Sequence, residues 1–582
     1  MQVSKKYSNI VLFLCLFIAQ WHLLGVRTEC DNWKKIIESD VYGYYGYLPA
    51  IFIHRSFDYS IYQQVDSQKP GLKGASEGPI KYYIGEAILL LPFFTAADLI
   101  TQTFDFDARN GYSYYYQLFI AIAGIFYLLI GLLAMRNLLS RLGFDDLAIS
   151  LVLFFVFAGT QLYHYSLHEP GMSHVYSFGM ISLALNAMHL QIENPRKARW
   201  ILIALIAALI VFIRPVNLLF LFAFLFLSKS HQNARLFIVS FFKSGFITLA
   251  FSILIVTGFF FLQALSYYYQ SGRWWVYSYG EEGFNWANPQ IFNVLFSYRK
   301  GLFVYTPLLL VSLSGLWFMR KKLGAFSFWS WLAIMSAYLF VTASWWYWAY
   351  GGSFGMRPFI DSYALWAIPL ACLVDAALKS KVRMLSLLSI CGFLVFLNLV
   401  QTYQYIHAIL PYEHMNKDRY WHIFLKTDYR YRYAFPADPE EEIVPESLSL
   451  IKDTATVKNK IFLVNSDYKK IEFIGMPLKN LIPAGKSVNT LLIEGELNVE
   501  SLKTNSSFVT ALQEDFNQPA VFFHTKYLVA LVNKSKTWIP FRYRVDLPKD
   551  SNFENHFTFY LYNEKKESVQ ARNLSVHFWG SL

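Results

Sequence analysis

Apolar and polar positions fall into long blocks along most of this chain, not into the short alternations of a soluble domain. Apolar runs at 10–26, 113–135, 147–165, 175–191, 200–213, 216–228, 245–265, 302–319, 326–345, 361–378 and 384–402 predict eleven membrane-spanning helices. One further stretch, 82–100, is apolar but carries Gly85, Glu86, Pro92 and Asp98. It either spans or lies along the surface as an amphipathic segment. Charge parity decides. The clusters Arg136/Arg141, Arg196/Lys197/Arg199, Lys229/Arg235/Lys243, Arg320/Lys321/Lys322 and Lys379/Lys381/Arg383 share a side with Lys5 and Lys6 only if 82–100 does not cross. The positive-inside bias requires that arrangement, and with it an external carboxy terminus. The first run has the shape of a signal peptide, but no small-residue cleavage site precedes Arg27-Thr28-Glu29-Cys30, so an uncleaved helix is expected.

After about residue 403 the pattern changes. Residues 404–459 are charged and rich in Pro and Tyr, as in a linker. From 460 to 582, short runs such as Ile461–Val464, Asn489–Ile493, Ala520–Phe523, Tyr527–Val532 and Phe557–Tyr562 predict strands punctuated by Asn, Gly, Asp and Lys. The expectation is a helical membrane domain over 1–403, with external loops 27–112 and 266–301, and an external β-sandwich over 460–582. The rhythm of that last segment resembles jelly-roll modules that bind carbohydrate; a structural cap or docking role fits it equally well.

Composition agrees with a membrane protein. Of 582 residues, 55% are hydrophobic and only 16% charged, against about 25% charged in soluble globules. The net charge of +11 sits largely in short loops, where Lys and Arg set topology, and no nucleic-acid motif accompanies it. The four cysteines form no CxxC or zinc spacing, so neither a disulfide framework nor a structural metal is expected. The expected setting is the inner (plasma) membrane, with the amino terminus cytoplasmic and the carboxy-terminal domain periplasmic or otherwise external.

Candidate chemistry gathers on the external side. Glu38 and Asp40 lie about a dozen residues beyond the first run, before Tyr42, Tyr44, Tyr45 and Tyr47. They are either ordinary loop acids beside an interfacial aromatic belt or carboxylates able to take a proton next to a lipid-linked substrate. Arg357 follows three glycines in Gly351-Gly352-Ser353-Phe354-Gly355-Met356. Its guanidinium suits a phosphate, and equally a snorkelling anchor. Arg214, before Pro215, is a deep charge that faces a cavity or anchors at the interface. His168, Glu169 and His174 share one turn without a metal-site spacing, and contact substrate or merely shape the turn. Loop 266–301, with Arg273, Glu281 and many aromatics, suits sugar stacking or a headgroup surface.

Taken together these pieces resemble the GT-C superfamily of polyprenyl-phosphate-sugar glycosyltransferases, in particular its protein mannosyltransferase and aminoarabinose transferase branch. The likeness spans about residues 1–403. It rests on Asp40 with the tyrosines after it, Lys81 before a juxtamembrane apolar stretch, Arg109 before the next span, the Arg214–Pro215 turn, and Gly355-Met356-Arg357. Two departures stand out: the usual Asp-Glu pair is Asp40-Val41 here, and the Lys-Pro-Pro-Leu element appears as Pro79-Ile80-Lys81-Tyr82-Tyr83. The resemblance implies an inverting transfer from a polyprenyl-phosphate sugar to a lipid, glycan or protein acceptor on the external face. Asp40, or Glu38 in its place, would be the base. Arg357 and Arg214, with Lys81 and Arg109, would hold the donor phosphate. Tyr44, Tyr45, His168, Glu169, His174, Arg273 and Glu281 would contact substrate. No cofactor or divalent metal is expected, since a lipid phosphate stabilised by arginine leaves without one. Other readings are a flippase for lipid-linked oligosaccharide, a ligase or polymerase using a pyrophosphate-linked donor, and a structural assembly protein.

Overall fold

Within a bilayer every backbone donor and acceptor must be satisfied by the segment itself, so long apolar blocks fold as helices. The computed structural model describes residues 5–27, 32–57, 79–104, 108–413, 415–432, 449–455, 462–464, 470–483, 488–502, 504–514, 520–532, 534–548, 555–563 and 568–580. Among these, seven helices are long and apolar enough to cross a membrane: Lys6–Gly25, Gly85–Phe104, Tyr114–Arg141, Phe246–Ser271, Ala325–Ser344, Arg357–Ala377 and Lys381–Ile406. The second is the stretch expected at the surface, and it forms one continuous helix with Pro92 inside it.

Other predicted spans form as short or broken helices, each bounded by a local cause; the run 200–213 forms whole. Helix Asp146–Ala158 begins at Asp145, whose side chain accepts from the Leu147 amide at 2.9 Å. It ends at Gly159, short of the predicted residue 165. Helix Lys197–Ile213 stops because the residue before a proline avoids the helical region: Arg214 is extended (φ −149°, ψ 113°), and Pro215 opens a 3-10 stretch to Ala223. The block 302–319 divides into Leu302–Tyr305, Leu308–Ser314 and Leu316–Leu323. At its second break a Cβ on Gly315 would lie 1.9 Å from the Pro369 carbonyl oxygen, so two backbones meet there with no room for a side chain. Helix Ser173–Glu193 packs along Tyr114–Arg141 and is buried on most sides.

The chain divides into two compact units, Met1–Thr402 and Tyr403–Leu582. In the second, nine strands among the described residues form two antiparallel sheets: β1 (Ser449–Ala455), β2 (Phe462–Val464), β3 (Lys470–Pro477), β4 (Thr490–Val499), β5 (Ser507–Gln513), β6 (Ala520–Tyr527), β7 (Ile539–Asp546), β8 (His556–Tyr562) and β9 (Val569–Gly580). One sheet runs β1-β9-β4-β7 with β2 also on β9, the other β3-β8-β5-β6. Alternation explains β7: Phe541, Tyr543 and Val545 are buried while Arg542 and Arg544 face out. One core draws on both sheets, with Leu491, Ile493, Val576 and Phe578 from the first and Phe508, Leu512, Phe557 and Phe559 from the second. The run Tyr527–Val532, expected as a strand, instead closes β6 with the helical turn Leu528–Leu531. Its residues are buried without alternation, and such a short apolar run carries no period that separates strand from helix. Cys15, Cys372 and Cys391 are buried free thiols; Cys30 lies outside the described residues, as do 414, 433–448 and 456–459 of the predicted linker, whose described part includes the helix Lys417–Ile423 and β1.

Candidate functional site

The loop after the first helix turns through Ser39, held left-handed at φ 53°, a conformation that costs energy in a residue with a Cβ. Asp40 follows as the cap residue of helix Val41–Tyr45, yet its side chain makes no capping bond. It reaches instead to Arg357, with Oδ2 2.8 Å from Nη1. The Tyr82 hydroxyl donates a second hydrogen bond to the same carboxylate. Tyr82 reaches this position because Gly43 has no side chain: a Cβ there would sit 2.3 Å from the Tyr82 ring. Burial raises the Asp40 carboxyl, but Arg357, Tyr82 and Lys81 together outweigh it and hold the group below the ordinary carboxylate range. Burial and the charge of Asp40 push the Tyr82 phenol well above its usual value, so it stays a donor.

Arg357 is braced from its other edge, where Nη2 donates to the Tyr350 carbonyl at 2.9 Å. Two successive left-handed residues, Tyr350 (φ 58°) and Gly351 (φ 68°), carry the chain past that carbonyl. Four residues on, Gly355 (φ 62°) leaves no room for a Cβ, which would meet Gln161 Nε2 at 2.4 Å. The glycine-rich run thus fixes the guanidinium through backbone geometry.

Arg214 enters from the opposite side, turned inward by Pro215. Its Nη1 lies 2.8 Å from His174 Nδ1 and 3.4 Å from Asp361 Oδ2. Asp361 is fully buried; its Oδ1 lies 2.9 Å from His174 Nδ1, and its Oδ2 accepts from Asn217 Nδ2 at 2.8 Å. Two partners therefore compete for one imidazole nitrogen. Were Nδ1 to accept from Arg214, Asp361 Oδ1 would lose its only donor among the described residues, at a cost of about 1–3 kcal/mol for a sealed acceptor. The Arg214 side chain keeps 16% exposure and has Asp361 Oδ2 as a second acceptor. The balance places the proton on Nδ1, donated to Asp361. Lys81 completes the set, with Nζ 2.6 Å from Glu282 and over the Tyr279 ring at 5.2 Å.

Asp40, Tyr44, Lys81, His174, Arg214 and Arg357 all line one cavity of about 360 Å³, near the lower end of the roughly 300–1,000 Å³ typical of small-molecule sites. Tyr277, Tyr279, Phe284, Trp345, Trp346 and Tyr350 give it an aromatic wall. Each of its three permanent cations faces one acid: Arg357 with Asp40, Arg214 with Asp361, and Lys81 with Glu282.

The other sequence candidates are placed apart from this lining. Glu38 is exposed, as are Arg273 and Glu281. Arg109 pairs with Asp98 at 2.9 Å. Tyr45 is buried and donates to the Gly111 carbonyl at 2.5 Å. His168 packs edge-on against His22, with ring centroids 4.2 Å apart. Glu169 lies 3.1 Å from His164 Nε2. Among the described residues no group of three His, Cys, Asp or Glu side chains is arranged to hold a metal ion.

Sequence reasoning gave no role to Tyr82, Glu282, Asn217 or Glu86, and met Asp361 only as the acid following Arg357. Glu86 is the most unusual of these. It is fully buried in the first turn of Gly85–Phe104, and neither carboxylate oxygen has a hydrogen-bond partner among the described residues. An acid set within an apolar run was the available signal, since such a charge is costly to bury. No protein-family model matches the chain, and no curated protein is significantly similar to it.

Proposed function

We propose that this chain is an integral-membrane glycosyltransferase of GT-C type, moving a sugar from a polyprenyl-phosphate donor to a lipid, glycan or protein acceptor. The observation that carries the reading is the convergence of Asp40, Lys81, Arg214 and Arg357, spread over more than three hundred residues of sequence, on one aromatic-walled cavity. In this reading the donor phosphate displaces Asp40 from Arg357. The released carboxylate, no longer held acidic by that charge, takes the proton from the acceptor hydroxyl. The acceptor oxygen forms its bond to the anomeric carbon as the bond to the phosphate oxygen breaks, and the electron pair leaves with the polyprenyl phosphate. Arg357, Lys81 and Arg214 meet the negative charge that grows on that leaving group. In a cavity poor in water such contacts are worth several kcal/mol, or at least about a hundredfold in rate.

The same proposal includes eleven crossings with Gly85–Phe104 lying at the surface, a β-sandwich built from the two carboxy-terminal sheets, and an external site in the inner (plasma) membrane. The basic loop clusters support the first of these, and the core shared by both sheets supports the second. Neither a metal nor a nucleic acid enters the reading.

The test is release of free polyprenyl phosphate by purified protein in nanodiscs supplied with polyprenyl-phosphate sugars and candidate acceptors. Asp40→Asn should lower release by about 10²–10⁴-fold, the usual worth of a positioned base, while its elution and unfolding profiles stay native-like. Release at a near wild-type rate would remove Asp40 from the reaction. A transporter or scaffold would release none.

A further inference from the structure

The corner of the cavity opposite Asp40 has its own chemistry. His174 lines it with a side chain only 4% exposed, and Asp361 claims Nδ1, so Nε2 is the ring nitrogen left for a ligand. Asp361 is itself fixed twice over, by Asn217 Nδ2 at 2.8 Å and Arg214 Nη1 at 3.4 Å, and Asn217 is tied to Ser177 Oγ at 3.0 Å. The imidazole therefore cannot turn without stripping a sealed carboxylate of its donor. Beside it, Nη1 is the only nitrogen of Arg214 with a protein partner among the described residues. The corner thus offers an acceptor, Nε2, and, on the Nδ1 side of the same ring, unused N–H donors of Arg214.

A phosphodiester oxygen only accepts, and would meet the Nε2 lone pair head-on. A hydroxyl donates as well as accepts, and satisfies that lone pair. We propose that the His174–Asp361 pair is a hydroxyl-recognising subsite: Nε2 accepts a hydrogen bond from a ring hydroxyl of the donor sugar, while Arg214, on the Nδ1 side of the ring, donates to the adjoining phosphate. Asp361 acts as the positioning residue that fixes the tautomer. This rests on the reading of the cavity as the site of a sugar-bearing lipid, and it distinguishes the sugar end, at His174, from the phosphate end at Arg357, Lys81 and Arg214.

The tautomer is directly measurable. Full-length protein labelled with ¹⁵N-histidine in nanodiscs should show His174, assigned by its absence in His174→Gln, with Nδ1 protonated and Nε2 bare. In Asp361→Asn that preference should weaken into a mixture. A His174 ring protonated on Nε2 in the wild-type protein would overturn the proposal. Polyprenyl phosphates carrying a hexose or a pentose should then shift the Nε2 resonance, whereas polyprenyl phosphate without sugar should leave it in place. An equal shift with the bare phosphate would reassign the corner to the anion and overturn the proposal. His174→Phe should weaken binding of the sugar-bearing lipid about tenfold, while His174→Gln, which keeps an acceptor oxygen, should restore most of it. Equal losses in Phe and Gln would mean that the ring serves packing alone. The transferase reading is judged separately by Asp40→Asn: if that variant turns over normally the base assignment fails, whatever the His174 spectra show.

Discussion

Arg357→Gln tests the central ion pair most sharply. At 2.8 Å the two charges attract by about 6 kcal/mol at an effective dielectric constant of roughly 20. Desolvation takes much of that back, and the side chains keep 24% and 13% of their exposure, so the net coupling should be about 1–3 kcal/mol. Removing Arg357 alone should cost more than removing Asp40 alone, because it strands a carboxylate with only Tyr82 and the field of Lys81. The two single losses should then exceed the loss in the Asp40→Asn/Arg357→Gln double variant. The pH dependence has a definite sign. In the wild-type protein the Asp40 carboxyl lies below its usual range, so its contribution is complete above about pH 4, the unfolded-state value. It is lost only as pH falls through the lower folded value. Burial is already the largest single influence, and without Arg357 only Tyr82 and Lys81 oppose it, so the group rises and protonation relieves the variant. The stability gap between wild type and Arg357→Gln should be widest at pH 7 and narrow toward pH 4.5. Unfolding followed by intrinsic fluorescence in nanodiscs measures it. A gap independent of pH, or strictly additive single substitutions, would refute the reasoning.

Glu86→Gln should leave the protein at least as stable as wild type, because it replaces a sealed carboxyl group with no hydrogen-bond partner among the described residues by a neutral group of the same shape. A fall of several degrees in its unfolding temperature would show that the carboxylate has a partner after all. Gly315→Ala should destabilise by at least about 2 kcal/mol, since the new methyl would lie 1.9 Å from a backbone oxygen and two helices would have to part. Expression and unfolding temperature close to wild type would contradict that packing.

What was legible in the sequence depended on whether its cause was local. Pro215 alone announces that Arg214 leaves the helix, and the glycines at 351–355 announce a backbone held close to its neighbours. Asp40 stood out because an acid just beyond an apolar run needs a reason. Partners were another matter. His174 and Asp361 are 187 residues apart, and Asn217 is 144 from the same carboxylate. Nothing in either neighbourhood names the other. The strands divide along the same line. β7 shows its faces through alternation, whereas β5 is buried along nearly its whole length and carries no period to read. The broken helices at Gly159 and Gly315 were masked because apolar residues resume within a few positions of each glycine.

Gly43 shows how little matter is needed to set the strength of an acid. Its lone hydrogen leaves the space into which the Tyr82 ring settles, and the phenol then grips the Asp40 carboxylate. A methyl at position 43 would touch no ligand and alter no charge, yet it would pry the ring outward and slacken that grip. The dial for the carboxylate's appetite for protons therefore sits behind the cavity wall, at a residue with nothing to contribute but room.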